Sequence, residues 1–114
     1  MAVNSRRKGA NGEREISHIL QEYGYEARRG QQFSGLNGDA DVVGVEGLHI
    51  EVKRVQNLNV EKALQQAERD AREGEMPSVF HRKDREKWKV TIRLEDFIKL
   101  WRIQEDVANA VKLP

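Results

Sequence analysis

The sequence contains no cysteine, which excludes disulfide staples, thiolate zinc sites and cysteine nucleophiles and suits a reducing cytoplasm. It contains no apolar run near the ~20 residues needed to span a bilayer, and the basic start MAVNSRRKG leads into no apolar targeting segment. The expectation is therefore a soluble, cytoplasmic protein with no membrane partner. Aromatic residues make up only 6% of the chain, too few for the clustered stacking platform of an RNA-binding interaction protein. A surplus of one charge sign is missing as well, since 20 Lys and Arg face 19 Asp and Glu for a net charge of +1. Net charge alone does not point to nucleic acid.

What is present is local. Arg6, Arg7 and Lys8 form a basic N-terminal arm over residues 1–10, and Arg82, Lys83, Arg85, Lys87, Lys89 and Arg93 crowd a stretch opposed only by Asp84 and Glu86. Phosphate binding depends on such clusters rather than on the sum. At 114 residues the chain has room for a single domain, 1–114, and buries only about two-thirds of the surface that its unfolded form exposes. A large binding surface is then more easily completed by a homodimer than by one copy.

Ile16, Ile19, Leu20 and Tyr23 fall at helical spacing, which predicts a helix from Asn11 to Tyr23 ended by Gly24. Tyr25 to Arg29 has strand character, and the glycine-punctuated GQQFSGLNG is a loop. Ala40 to Val45 and Leu48 to Val55 read as a β-hairpin. Asn59 as N-cap, an apolar face of Val60, Ala63, Leu64, Ala67 and Ala71, Gly74 as C-cap and Pro77 beyond it mark a second helix that should pack on the hairpin. Ser78 to His81 and Trp88 to Ile92 look like two more strands, and Leu94, Phe97, Ile98 and Trp101 begin a last amphipathic helix. Residues 102–114 extend that helix, cover a partner or fray. The order α-β-β-α-β-β-α predicts an α/β fold, a central mixed sheet flanked by helices.

The chemistry gathers in the hairpin. In His49-Ile50-Glu51-Val52-Lys53 the strand alternation puts Glu51 and Lys53 on one face and Ile50 and Val52 on the other. Such a pair is common on solvent-facing strands, and Asp41 in the partner strand gives it weight. A three-residue turn, Glu46 to Leu48, would pair Val43 with Glu51 and Asp41 with Lys53, on one face, whereas a two-residue turn would send Asp41 to the opposite face. The functional reading thus requires an odd-length turn or a bulge. Two adjacent carboxylates repel each other unless a cation lies between them. Mg²⁺, for which Mn²⁺ can substitute, suits Asp41, Glu51 and the main-chain carbonyl of Val52. Lys53 would then orient or deprotonate a water for in-line phosphodiester hydrolysis. The first helix adds Glu13 and Glu15. Glu13 lies about 20° from Leu20 on the helical wheel and is aimed somewhat more inward, although acids at a helix start also serve its dipole.

These blocks resemble the archaeal Holliday junction resolvases, a branch of the PD-(D/E)XK nucleases with a restriction-endonuclease-like core. Arg7-Lys8-Gly9 and Glu13-Arg14-Glu15-Ile16 are similar to that family's basic-Gly segment and E-R-E helix start, Asp41-Val42-Val43 to its Asp with two apolar followers, and Ile50-Glu51-Val52-Lys53 to its I-E-V-K strand. The resemblance spans roughly residues 6 to 101 and implies Glu13, Asp41, Glu51 and Lys53 as catalytic residues, with Glu13 assisting the metal or water. It implies a homodimer with two active sites that cuts opposed strands of a four-way junction, leaving 5′-phosphates. It also places DNA contacts at Arg28, Arg29 and the loop residues Gln31, Gln32, Phe33 and Ser34. Arg54, Arg82, Lys83 and the basic arm complete the candidate DNA-binding set. Asp39 stands near where a Pro is often found, and could substitute as a ligand. A nicking or flap-cutting endonuclease and an inactive DNA-binding module are the alternatives. His18, His49 and His81 have no zinc-ligand spacing, and Gln66 reads as surface.

Overall fold

The computed structural model describes residues 5–31 and 40–112. Along them run α1 (Ser5–Glu22), β1 (Arg28–Arg29), β2 (Val42–Val43), β3 (Leu48–Arg54), α2 (Val60–Asp70), β4 (Met76–Arg82), β5 (Lys89–Thr91) and α3 (Leu94–Lys112). The strands form one five-stranded sheet in the order β1-β2-β3-β4-β5. β3 and β4 are parallel and the other neighbours antiparallel. A parallel pair needs a long crossover, which α2 supplies. The fold is the expected mixed sheet with flanking helices, and the strand character read at Tyr25–Arg29 narrows to the two residues of β1.

The two sheet faces are packed differently. Ile50 and Val52 of β3 join Val42, Ala27 and Ile16 of α1 in one buried cluster, with Leu20, Phe80 and Trp88 against it. On the other face Val79 of β4 is covered by Ala63, Leu64 and Ala67 of α2, with Leu58 beside them. α2 therefore rests mainly on β4 rather than on the hairpin strand β3, because its small apolar residues match the flat face around Val79. Asn59 caps this helix by accepting the Lys62 N–H at 3.0 Å. The helix ends at Asp70 with Ala71 as C-cap, three residues before the Gly74 end that the sequence suggested.

α1 begins at Ser5 rather than at Asn11, so residues 5–10 of the expected basic arm are helical. Gly9 and Gly12 disguise this in the sequence, since glycine disfavours a helix interior. Gly12 has a packing role: a Cβ there would stand 3.2 Å from Arg54 Cβ and 3.3 Å from Val52 Cγ1. Its absence lets the helix press on β3. Gly44 has another role. Its φ is +107°, and a Cβ would run into the Glu26 carbonyl and the Ala27 backbone. Gly44→Ala should cost at least about 2 kcal/mol, combining left-handed strain with backbone collision. Urea unfolding reads this directly, and an unchanged midpoint would show that the turn relaxes.

Residues 102–112 extend the last helix, α3. No residue of it is buried, and Leu94 (71%), Trp101 (53%) and Val111 (80%) are strongly exposed. Phe97 and Trp101 stack at 6.0 Å between ring centres. No described helix is long and apolar enough to cross a membrane.

Candidate active site

β3 carries the site because it lies in the middle of the sheet with one apolar and one polar face. Ile50 and Val52 turn toward α1, while His49 and Glu51, both buried, turn toward α2 together with Lys53. The β2–β3 turn decides what meets them. Val42 pairs with Ile50, so Asp41 stands opposite Glu51 rather than opposite Lys53. The three-residue turn is Val45–Gly47, closed by Leu48 N–H to the Val45 carbonyl at 3.2 Å. The odd length required for a shared face is present, displaced by one residue from Glu46–Leu48. Leu48 thus opens β3 while Val45 starts the turn, and both side chains pack on the buried cluster.

Asp41 binds where the β2 ladder stops. Its N–H donates to the Ile50 carbonyl at 3.0 Å, and its Oδ2 accepts the Val52 N–H at 2.8 Å. In an antiparallel pair the N–H and C=O of a residue leave on the same side, so the Val52 carbonyl faces the Asp41 side too. Burial first, then the charge of Glu51, pushes the Asp41 carboxyl up to about 7, with the Val52 N–H opposing and Glu13 adding to the rise. Two carboxylates are thus packed together in a partly dehydrated place, the electrostatic situation that a divalent cation relieves. These oxygen donors fit Mg²⁺ or Mn²⁺.

Glu13 and Glu15 part company in space. Glu13 points to the Asp41 side and accepts from Arg29 Nε at 2.8 Å. Glu15 is drawn to Arg82, with Nη2 at 2.7 Å, and to Arg54 at 3.5 Å, while the Arg82 guanidinium lies 5.3 Å over the Trp88 ring. Glu15 ties α1 to the far end of the sheet. Among the described residues no three His, Cys, Asp or Glu side chains are spaced to hold a metal ion. Asp41 and Glu51 are the two carboxylates the hairpin brings face to face, with Glu13 close enough to add its charge to Asp41.

The candidate DNA contacts distribute unevenly. Arg28 borders an open groove of about 390 Å³ with Val43, His49, Asp70, Arg72 and Glu75. Arg29 is engaged by Glu13, and Arg54 and Arg82 by Glu15, so these three carry internal ties. Lys83 is exposed at the rim of a hollow with Gln56, Asn57, Leu58 and Asn59. The backbone of Arg6, Arg7 and Lys8 lies in α1 and their side chains lie outside the described part, as do Gln32, Phe33, Ser34 and Asp39.

Sequence reasoning passed over two residues. Gln66, read as surface, is half-buried and lines a hollow with Lys53, Lys62 and Asn59; its spacing of four from Lys62 puts both on the helix side toward Lys53. His49, set aside for lack of zinc spacing, has Nε2 2.8 Å from Glu51 Oε1. Burial alone would lower its pKa, but the Glu51 hydrogen bond and charge, with Glu75 and Asp70 adding, hold it above the usual histidine value. The signal available was the two-residue period of β3, which puts 49, 51 and 53 on one face. His81 instead meets Thr91 Oγ1 at 2.8 Å, and His18 is exposed on α1.

This arrangement has relatives. A Holliday junction resolvase, Hjc, from the archaeal hyperthermophile Archaeoglobus fulgidus matches with a TM-score of 0.50 and 26% identity over 75% of this chain and 72% of that one. No curated protein matches. The family model "Phage putative PDDEXK endonuclease" matches residues 4–112, which takes in Asp41 beside β2 and Glu51 and Lys53 on β3, and the chain belongs to that family of nucleases.

Proposed function

We propose that this protein is a Mg²⁺-dependent, structure-specific DNA endonuclease that resolves four-way junctions as a homodimer. The observation that carries the reading is the closely packed Asp41–Glu51 pair, in which burial and mutual charge push the Asp41 carboxyl up to about 7, with Lys53 next on the same strand face. Asp41, Glu51 and the Val52 carbonyl would hold the metal, and Glu13 would reach it through water. So bound, a divalent cation supplies positive charge to the phosphate oxygens and makes a nearby water more acidic.

The chain's own residues do the rest. Lys53 holds the attacking water and offsets charge on the non-bridging oxygens as the new O–P bond forms and the P–O3′ bond breaks. The products are a 5′-phosphate and a 3′-hydroxyl, and the water's proton passes to solvent. Arg28, Lys83, the basic start of α1 and the loop with Ser34 supply phosphate contacts that read backbone shape rather than bases.

Two symmetric cuts need two copies, and α3 is the surface for the second. Its apolar residues occupy more than half of the helical wheel over a length of about 28 Å, which is on the scale of the ~800 Å² per partner of a stable interface. Phe97, Ile98 and Trp101 are its expected anchors.

The test is a labelled four-way junction beside matched linear, nicked and flap duplexes, with Mg²⁺, Mn²⁺ or chelator. Paired cuts confined to the junction support the resolvase; equal cutting of flaps or nicks makes the protein the broader phage-type endonuclease suggested by the family description; binding without cutting in either metal makes it an inactive DNA-binding module. In the same assay Trp101→Glu should yield a monomer by sedimentation that nicks one strand at a time. A wild type that sediments as a monomer while cutting both strands would remove α3 from the proposal.

A further inference from the structure

His49 occupies a place that no sheet position requires a histidine to fill. Its side chain is 3% exposed and that of Glu51 5%, so both are buried on the α2 side of the sheet. One ring nitrogen, Nε2, is 2.8 Å from Glu51 Oε1; the other, Nδ1, is 3.7 Å from Glu75 Oε1. Glu75 is anchored in turn, because its Oε1 accepts the Arg72 N–H at 2.7 Å. The backbone of His49 is pinned as well, its carbonyl accepting from buried Ser78 Oγ at 2.8 Å. The ring therefore has little freedom to rotate, and neither does the carboxylate it holds.

A carboxylate on a flexible glutamate has two equivalent oxygens and several rotamers. A donor fixed on one oxygen removes that ambiguity and leaves the other for a ligand, as partners behind metal ligands commonly do. We propose that His49 is a positioning residue for Glu51, donating from Nε2 to one carboxylate oxygen so that the other is held toward Asp41 and a divalent cation, with Glu75 steadying the ring from behind. The proposal rests on the nuclease reading for its purpose, but its geometry concerns only metal binding.

The experiment measures Mn²⁺ binding to the full chain by calorimetry, with thermal melting to establish folding, for the wild type, His49→Leu and His49→Gln. Losing the donor should weaken Mn²⁺ binding roughly 10- to 100-fold in a folded Leu variant. The Gln amide reaches the same place as Nε2 and should restore affinity to within about threefold. A folded Leu variant with wild-type affinity overturns the proposal. If the Leu variant does not fold, the Gln variant decides: affinity within threefold supports the donor role, and a loss of tenfold or more overturns it. A nitrogen coupling in the pulsed EPR spectrum of the bound Mn²⁺ would put the imidazole on the metal itself and also overturn it. If instead the wild type binds Mn²⁺ and depends on His49 but cuts no DNA, the nuclease reading fails and the positioning role stands.

Discussion

Glu51→Gln is expected to abolish DNA cleavage, lowering the single-turnover rate on the preferred substrate by at least about 1,000-fold. The amide keeps the shape of the side chain and can still meet His49, so the fold survives while the negative charge next to Asp41 is lost. Metal affinity should fall with the rate. Lys53→Ala is the informative companion: it should lose a similar factor while keeping Mn²⁺ affinity, because the ammonium acts on the water and the phosphate rather than on the cation. Melting curves would show both variants folded. A Lys53→Ala enzyme within tenfold of wild type would remove that residue from the chemistry, and cleavage surviving in Glu51→Gln would place the active site elsewhere.

The second large effect concerns stability and runs against the usual carboxylate behaviour. Burial and the Glu51 charge push the Asp41 carboxyl up to about 7 from its ordinary 3.8, so the folded protein prefers this group protonated. Its contribution is complete below about pH 4 and is lost as pH rises through 7. Tenfold in proton affinity is worth about 1.4 kcal/mol, so the loss comes to roughly 4 kcal/mol, on the order of 10–20 °C of melting temperature for a domain of this size. The raised pKa of His49 has the same sign and carries the loss upward from its ordinary range. Glu61 and Glu68, both held low by Arg93, act oppositely and lose their contribution as pH falls, but they are common to every variant at residue 41. In chelator, then, the wild type should melt well below Asp41→Asn at pH 8, with less than half of that gap at pH 5. Added Mg²⁺ should raise the wild type at pH 8 and leave the variant nearly unmoved. Parallel melting curves for the two proteins across pH 5–8 would sink this account.

Much of the fold was legible because the residues that build it obey a period. Ile50 and Val52 alternate with Glu51 and Lys53, and that alone assigned β3 its two faces; Ala63, Leu64 and Ala67 did the same for α2. What was hidden depended on partners far away in sequence. The hairpin register turned on whether Leu48 belonged to the turn or to the strand, where it opens β3. The strand character read at Tyr25–Arg29 is kept only at Arg28 and Arg29, where Val43 and Val42 lie opposite to pair with it. The start of α1 was masked by two glycines, one of which is there because β3 comes too close for a side chain. At the site, the shared face of Glu51 and Lys53 was readable, as was the need for an odd turn to bring in Asp41. The separation of Glu13 from Glu15 was settled in space by Arg29 on one side and Arg82 and Arg54 on the other. Glu75, next to His49, is 26 positions away along the chain, and no local pattern links them.

Because Asp41 Oδ2 takes the Val52 N–H just before β2 begins, a side chain stands in for a missing strand. The margin of β3 is thereby closed by a group that the proposed chemistry also needs. A sheet margin left open recruits other chains and leads to self-association. Removing this carboxylate outright would thus do two harms at once, silencing the enzyme and making it sticky, whereas an amide in its place keeps an oxygen for Val52. The design of an inactive form for trapping bound DNA follows directly: the neutral isostere is usable and the truncation is not.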